Sequence, residues 1–169
     1  MKHKRIITLL VVLMATLALL LSPHLQSPYR FLYNPSESAP RGWYVVMPIK
    51  KVRVNDFVVV RLPQEPATLA AQRGYLPLTV PLLKHVAGIR GQRACSTADA
   101  LLLDDRVVAR SRNQDGAGRT LTPWLGCRTL AADEVLLLST TSDASFDSRY
   151  FGPVHRSAIL GRAIPVWTW

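Results

Sequence analysis

The sequence predicts a mostly β, barrel-like domain behind one N-terminal transmembrane helix. Three observations lead to this class. The chain begins with basic residues at 1–5 and continues with an uncharged apolar segment at 6–21. Short runs of branched and aromatic residues follow, separated by Pro and Gly, as in small all-β domains. The length of 169 residues accommodates one modest domain plus an anchor.

The N-terminal segment has the pattern of a membrane anchor. Residues 6–21 are 16 residues without a charge, and as a helix they would span roughly 24 Å, slightly less than a bilayer core. A cleaved signal peptide has a similar start, but no small-x-small cleavage site follows at 20–25. An uncleaved anchor is therefore favoured over a removed peptide. The basic residues before it are expected to stay in the cytoplasm.

This topology predicts a single-pass protein of the inner (cytoplasmic) membrane, with its domain on the periplasmic side. The chain then divides into an anchor at 1–22, a proline-containing linker at 23–31 and an exported domain at 32–169. Membrane lipid is the partner expected for the anchor.

Strand-forming segments rich in Val, Leu, Ile and aromatic residues are predicted throughout the exported part. They cover residues 43–47, 56–62, 82–89, 100–109, 134–139 and 158–167. The fourth is expected to be a hairpin that turns at Asp104 and Asp105. One helix is predicted at 67–74, where an Ala-rich core ends at a glycine. The polar residues 113–119 indicate a mobile hairpin tip.

The two cysteines, Cys95 and Cys127, have no CxxC partner and no histidine at ligand spacing. We therefore expect no metal site and no cofactor. In an oxidising compartment an even pair favours one disulfide over two separately buried thiols. With 31 residues between the cysteines, such a bond would stabilise the fold by roughly 3 to 4 kcal/mol in the chain-entropy model.

The formal net charge of +10 allows two interpretations. A basic surface either faces anionic lipid headgroups or binds nucleic acid. The Lys and Arg residues are spread along the chain without a dense run or interleaved aromatic residues. We therefore favour the lipid interpretation and expect no nucleic-acid partner.

Three short motifs follow the anchor in order: PSESAPRG at 35–42, KHVAGIRGQ at 84–92 and SFDSRYFG at 145–152. A serine hydroxyl is a poor nucleophile until a base removes its proton. A lysine can act as that base if burial lowers its pKa from about 10.4. Ser38 and Lys84 are thus candidates for nucleophile and base. The alternatives are a turn serine and a lysine whose stem packs on apolar surface.

Together the three motifs resemble the type I signal peptidase family over roughly residues 32–162. The Ser-x-Pro-x-Gly spacing that ends at Gly42 is most similar to the conjugal-transfer branch, the TraF-type peptidases. The chain departs from the general family at Ala39, where that family has methionine, and at Gln92, where it has an acid. The upstream Gly-Asp-Asn of the general family is also absent at 140–143.

The resemblance implies a role for each motif. Ser38 would be the nucleophile and Lys84 its general base. The hydroxyl of Ser36 and the backbone N–H of Ser38 would stabilise the oxyanion. Ser145 would hydrogen-bond the lysine amine.

The resemblance also implies a structural ion pair between Asp147 and Arg149, for which the alternative is a surface pair of little energetic value. The four histidines form no convincing Ser-His-Asp pattern. His85 is expected to face the opposite side of its strand from its catalytic neighbour.

The implied fold is a mostly β peptidase fold of coiled sheets. The implied function is a membrane-anchored serine endopeptidase that removes leader peptides from exported precursor proteins. In the TraF-type branch the precursor is a pilin for conjugation, and an amine of the pilin can replace water to give a cyclic product.

Two alternatives stay open. A general signal peptidase usually carries a larger inserted β domain between the lysine and third motifs, whereas here residues 85–144 separate them. A non-catalytic anchored assembly factor of a conjugation or secretion apparatus would be expected to have lost Ser38 or Lys84.

The substrate is expected to bind as an added strand near Val45 and Val58. Shallow apolar pockets for small side chains at the first and third positions before the cut are implied by the resemblance.

Overall fold

The computed structural model describes residues 2–21 and 31–169, which form two separate units. The first unit contains helix α1, Lys2–Leu21. Neither in 2–21 nor in 31–169 is there a helix long and apolar enough to cross a membrane. The structure therefore does not confirm the predicted anchor at 1–22. Apart from its last residue, the predicted linker at 23–31 lies outside the described residues.

The second unit, Phe31–Trp169, is mostly β, as predicted. Its strands are β1 (Phe31–Asn34), β2 (Gly42–Met47), β3 (Phe57–Val60), β4 (Leu82–Ile89), β5 (Arg93–Ser96), β6 (Ala100–Leu103), β7 (Arg106–Arg110), β8 (Gly126–Thr129), β9 (Glu134–Leu138), β10 (Val154–His155) and β11 (Ile159–Thr168). Its helices are α2 (Gln64–Gln72) and α3 (Ser148–Phe151), with a 3-10 turn at Arg156–Ala158.

The strands form two antiparallel sheets. The larger has the order β1-β2-β11-β3-β4-β9-β10, and the smaller has the order β7-β6-β5-β8. The long strand β11 joins the two halves of the larger sheet, because its first residues pair with β3 and its later residues pair with β2. In the described part of the chain the larger sheet has free ends at β1 and β10, so its hydrogen bonding is that of an open sheet and not of a closed barrel.

Strand β9 is buried on both faces and lies between two apolar clusters. Val135 and Leu137 pack in one cluster with valines of β3 and β4. Leu136 and Leu138 pack in the other cluster with residues of the smaller sheet. Successive side chains of a strand point to opposite faces, so a strand between two layers reads as a continuous apolar run. This double burial explains the Val-Leu-Leu-Leu sequence of β9.

The predicted strands are present, and β4 has the predicted bounds. The predicted hairpin turns at Asp104 and Asp105, which both have positive φ, 49° and 63°, as a two-residue turn of this kind requires. The predicted helix at 67–74 is displaced: α2 begins after Pro63 and ends two residues before Gly74. A proline in the first helical turn loses no internal hydrogen bond, so Pro66 does not delay the start.

The strands that the sequence analysis did not predict are β1, β5, β8 and β10, which have four residues or fewer. Two of them carry the disulfide. Cys95 in β5 lies directly opposite Cys127 in β8, and the two form the predicted bond.

Candidate active site

The residues that connect β1 to β2, at 35–41, form the loop that carries Ser36 and Ser38; we call it the nucleophile loop. Asn34, at the end of β1, is buried below it. Its side-chain Nδ2 donates to the carbonyl oxygens of Ser36, Ala39 and Pro40 at 3.0 to 3.1 Å. Its Oδ1 accepts from the backbone N and from Oγ of Ser36, at 3.1 and 2.8 Å. One amide therefore holds both ends of the loop together.

Side chains from elsewhere in the fold also hold the nucleophile loop. Tyr44 Oη donates to the carbonyl of Pro40 at 2.6 Å. Ser139 Oγ donates to the carbonyl of Ser38 at 2.7 Å, and Thr141 Oγ1 donates to the carbonyl of Glu37 at 2.8 Å. The loop is thus fixed by β2 and by the residues that follow β9.

Gly42 closes the nucleophile loop at a position where only glycine fits. Its φ is +141°, and a Cβ there would lie 2.0 Å from the carbonyl oxygen of Trp167 in β11. The glycine of the first motif is therefore required by the close approach of β2 and β11.

Ser36 and Ser38 meet through their hydroxyls, whose Oγ atoms are 3.0 Å apart. Both serines line a cavity of about 380 Å³, which Lys84 and Ser145 also line. The three sequence motifs thus converge on this site cavity. Among the described residues no hydrogen bond joins Ser38 Oγ to Lys84 Nζ; the Ser38 hydroxyl pairs with Ser36 instead.

Lys84 lies in β4, opposite Val58 of β3, and only 1 % of its surface is exposed. Burial lowers the pKa of its amine to about 8; the charge of Asp147 opposes this shift and that of Arg149 adds to it. A substantial fraction of the amine is therefore neutral just above neutral pH, as a general base requires.

His85, the next residue, stacks on Phe57 with ring centroids 4.4 Å apart. It does not line the site cavity, in agreement with the predicted orientation away from Lys84. The pKa of His85 is lowered, mainly because the ring is partly buried. The imidazole therefore adds little positive charge beside the lysine at neutral pH.

Ser145 is buried in the wall of the site cavity. Its Oγ has no hydrogen-bond partner in the described part of the chain. The structure therefore brings Ser145 into the same cavity as Lys84 but does not contain the predicted hydrogen bond between them. A buried hydroxyl without a partner is costly, and the Lys84 amine is a suitable partner in the same cavity.

Asp147 and Arg149 form the predicted ion pair, and it is buried, not at the surface. Arg149 Nε and Nη2 each donate to one carboxylate oxygen of Asp147 at 2.8 Å, with side chains 1 % and 0 % exposed. The guanidinium also donates to the carbonyls of Asp143 and Ser145, at 2.8 and 3.0 Å. Such a two-point pair fixes geometry as well as charge. It holds in place the backbone that carries Ser145.

The polar loop at 113–119, predicted to be a mobile hairpin tip, is instead tied to the fold as a wall of the site cavity. Asp115 accepts from Tyr75 Oη at 2.5 Å and from Arg119 Nε at 2.8 Å. Arg119 Nη2 donates to the carbonyl of Arg73 at 2.9 Å. The Tyr75 hydroxyl, first among several donors, holds the pKa of Asp115 well below its usual range. These contacts join segments about 40 residues apart in the sequence. A local sequence pattern therefore does not predict them.

The remaining walls of the cavity are largely apolar. They are formed by side chains of Ala70, Leu76, Leu82, Ala117, Leu121 and Phe146. A cavity with largely apolar walls and a few polar groups is typical of ligand-binding sites.

The prediction that a peptide pairs near Val45 and Val58 is wrong. Val45 lies in β2, which has β1 and β11 on its two sides, and Val58 lies in β3, which has β11 and β4. Both residues are paired on both sides, so in the described part of the chain neither lies at a free edge. A free edge lies in β4 instead, because β9 ends at Leu138, opposite His85. In the described residues, Leu82–Lys84 therefore have a neighbouring strand on one side only.

The structure contains a Ser-His-Asp contact that the sequence did not predict. His155 Nε2 lies 2.6 Å from Asp133 Oδ2, and His155 Nδ1 lies 2.6 Å from Ser157 Oγ. All three residues are exposed, and none lines the site cavity. The backbone N–H of Ser157 also donates to Nδ1, so the imidazole caps the 3-10 turn. Capping of the 3-10 turn therefore explains this Ser-His-Asp contact without a catalytic role.

Comparison with known proteins identifies the family. The sequence profile of the family described as signal peptidase, peptidase S26, matches residues 4–169. The chain belongs to this peptidase S26 family. Within it, the protein is 33% identical over 178 residues to the conjugal transfer protein TraF of Agrobacterium tumefaciens strain 15955, an alignment that covers 99% of this chain and 98% of that protein. The plasmid transfer protein TraF of Escherichia coli is 32% identical over 148 residues, which cover 80% and 82% of the two chains.

A signal peptidase I of Enterococcus faecalis V583 is a similar solved structure, with a TM-score of 0.40 and 19% identity over 68% of this chain and 97% of that one. The family profile and the TraF relatives confirm the resemblance to TraF-type S26 peptidases.

Proposed function

We propose that this S26 peptidase is a membrane-anchored serine endopeptidase that removes leader peptides from exported precursors with a Ser38–Lys84 dyad. One observation carries the proposal. The serine of the first motif and the lysine of the second line one cavity, and burial lowers the pKa of that lysine to about 8. A hydroxyl nucleophile and a partly neutral amine are the two groups that such a dyad requires.

In this proposal Ser38 Oγ attacks the scissile carbonyl while its proton passes to Lys84 Nζ. The backbone N–H of Ser38 donates no hydrogen bond within residues 31–169, so it is available to the oxyanion. Ser36 Oγ provides the second donor. Lys84 then protonates the leaving amine and activates the group that releases the acyl-enzyme. The hydroxyl of Ser145 holds the Lys84 amine in position between these steps.

We propose that the substrate binds as an extended strand along the free edge of β4 at Leu82–Lys84. Main-chain hydrogen bonds there would place the chain beside the base. The apolar wall formed by residues such as Leu82 and Phe146 would receive the side chains before the cut. Shallow apolar pockets for small side chains at these positions are what the resemblance to the family implies.

We further propose that the precursor is a conjugative pilin. The support is the likeness, over 99% and 80% of this chain, to proteins named for conjugal and plasmid transfer. The acceptor that releases the acyl-enzyme is either water or an amine of the pilin, and the mass of the product distinguishes the two.

The proposed location is the inner membrane, with the peptidase domain on the periplasmic side. Support comes from the basic start and the uncharged residues 6–21. The Cys95–Cys127 disulfide agrees with an oxidising compartment.

The β1-β2-β11 surface also supports a position at lipid. Tyr33 lies opposite Trp43, and Trp43 lies opposite Trp167, so the three side chains share one face of the sheet. They are 43%, 46% and 69% exposed. Exposed Trp and Tyr side chains are enriched where proteins meet the membrane–water interface.

The test is co-expression with candidate pilin precursors, followed by intact mass of the product. A product shortened at a leader site is expected, and a cyclic product would be lighter than the linear one by one water. Unchanged precursor mass with every candidate pilin, but cleavage of a general secretory precursor, would contradict the pilin assignment.

A further inference from the structure

The hydroxyl protons of the two loop serines have a fixed order, set by Asn34. The orientation of the Asn34 amide is settled by its contacts, because Nδ2 faces three carbonyl oxygens and Oδ1 faces the backbone N–H of Ser36. Oδ1 can only accept, so the 2.8 Å contact with Ser36 Oγ uses the Ser36 proton.

A hydroxyl has a single proton to donate. Since Ser36 donates to Asn34, the 3.0 Å contact between the serines must be a donation from Ser38 to Ser36. The resting order therefore runs from Ser38 to Ser36 to Asn34. In this order neither proton lies where the proposed reaction needs it: the Ser38 proton is turned away from Lys84, and the Ser36 proton is turned away from an oxyanion.

We propose that Asn34 is a positioning residue that holds the Ser36 proton in the free enzyme and gives it up to the oxyanion in the transition state. The inference rests on the proposed function. In this step the Ser38 O–H bond breaks, its proton goes to Lys84 Nζ, and Oγ bonds to the carbonyl carbon, whose π electrons move to oxygen. Ser36 keeps its O–H bond and turns its proton from Asn34 Oδ1 to that oxygen.

The contacts of Asn34 limit the free-energy cost of rotating the Ser36 hydroxyl. When Ser36 Oγ leaves, Asn34 Oδ1 keeps the backbone N–H of Ser36 at 3.1 Å, so no buried acceptor is left without a partner. The Nδ2 contacts to the carbonyls of Ala39 and Pro40 do not involve the moving proton. The loop therefore stays in place while the proton changes partner.

The test is a double-mutant cycle on kcat with Asn34→Asp and Ser36→Ala. A carboxylate holds the Ser36 proton more tightly than an amide oxygen does. We expect Asn34→Asp to lower kcat by about 100-fold, comparable to loss of an oxyanion donor, with KM changed by less than about 3-fold. In the Ser36→Ala background the same change should cost at least about 10-fold less in kcat, because the loss of the Nδ2 hydrogen bonds is common to both backgrounds and no hydroxyl remains to be held.

Tyr44→Phe is the matched control. It removes a 2.6 Å hydrogen bond to Pro40 in the same loop without touching either serine hydroxyl. Its effect on kcat should be the same in both backgrounds. Asn34→Leu, uncharged and of similar size, is carried through the same cycle, so that the coupling is measured even where Asn34→Asp does not fold.

Equal losses from the Asn34 changes with and without the Ser36 hydroxyl would overturn the inference, since they would show a purely structural or electrostatic role. That outcome differs from failure of the proposed function, in which Ser38→Ala itself would retain cleavage.

Discussion

The hydroxyl of Ser139 donates a 2.7 Å hydrogen bond to the carbonyl of Ser38, and its backbone N–H donates a 3.1 Å bond to Asp147 Oδ2. Ser139 lies in none of the three motifs, yet it connects the first to the third. The buried Asp147–Arg149 pair thereby holds the nucleophile loop as well as the segment that carries Ser145.

Ser139→Ala is expected to lower kcat by about 10-fold, because misplacing a nucleophile by a fraction of an ångström is costly. The free energy of unfolding should fall by about 1 to 3 kcal/mol, because Ser139 Oγ also accepts from the backbone N–H groups of Thr141 and Ser142. Thr141→Val is the matched control, since it removes an exposed bond to the carbonyl of Glu37, and a smaller loss is expected there. Steady-state kinetics and thermal melts measure both. Full activity of Ser139→Ala would show that the nucleophile loop does not need the hydrogen bond from Ser139 to the carbonyl of Ser38.

The pH dependence of cleavage should follow the Lys84 amine. Since the neutral amine is the base and its pKa is lowered to about 8, kcat/KM should rise with pH and level off above that value. The measurement is kcat/KM from pH 6 to 10 on a peptide that lacks titratable groups near the cut. A rate that is flat or falls between pH 7 and 9 would be incompatible with Lys84 as the base.

The lowered pKa of Lys84 also has a cost in stability. The folded protein has a pKa of about 8 at this site, whereas the unfolded chain has a pKa of about 10.4. Between these values the unfolded state binds more protons, so stability rises with pH. Below pH 8 the full cost of roughly 3 kcal/mol is present.

Lys84→Met should therefore unfold at a higher temperature than the natural protein at pH 7, with a difference that shrinks towards pH 10. Calorimetry at both pH values tests this expectation. A lower melting temperature for Lys84→Met at pH 7 would show that the amine stabilises the fold. Val58→Ala, opposite Lys84 in β3, provides a control whose destabilisation should not depend on pH.

The proposed specificity for small side chains predicts which precursors are processed. Phe or Ile placed directly before the cut should stop processing, because the proposed shallow pocket accepts only small side chains at that position. The same change two residues before the cut should matter little, since alternate side chains of an extended chain point the other way. Intact mass of a series of precursor variants is the readout. If the precursor with Phe directly before the cut is processed as fast as the one with Ala, the proposed specificity for small side chains is wrong.

The sequence was informative where function depends on local patterns. The apolar run around Lys84 predicted the bounds of β4, and the motif order predicted which segments share the site cavity. It was not informative where a role arises only from contacts across the fold. Asn34 and Ser139 are ordinary polar residues until folding places them against the nucleophile loop. The loop containing Asp115 resembles a free tip because its partner, Tyr75, is distant in sequence.

The dyad itself is tested most directly by intact-mass analysis of a precursor co-expressed with Ser38→Ala, with Ser36→Ala as the companion variant. We predict that the Ser38→Ala protein accumulates to the normal level, melts at the normal temperature and leaves the precursor at full length. The Ser36→Ala protein should still release product slowly, because it loses one oxyanion donor and keeps the nucleophile. Precursor processed to its mature mass by a well-folded Ser38→Ala protein would contradict the account.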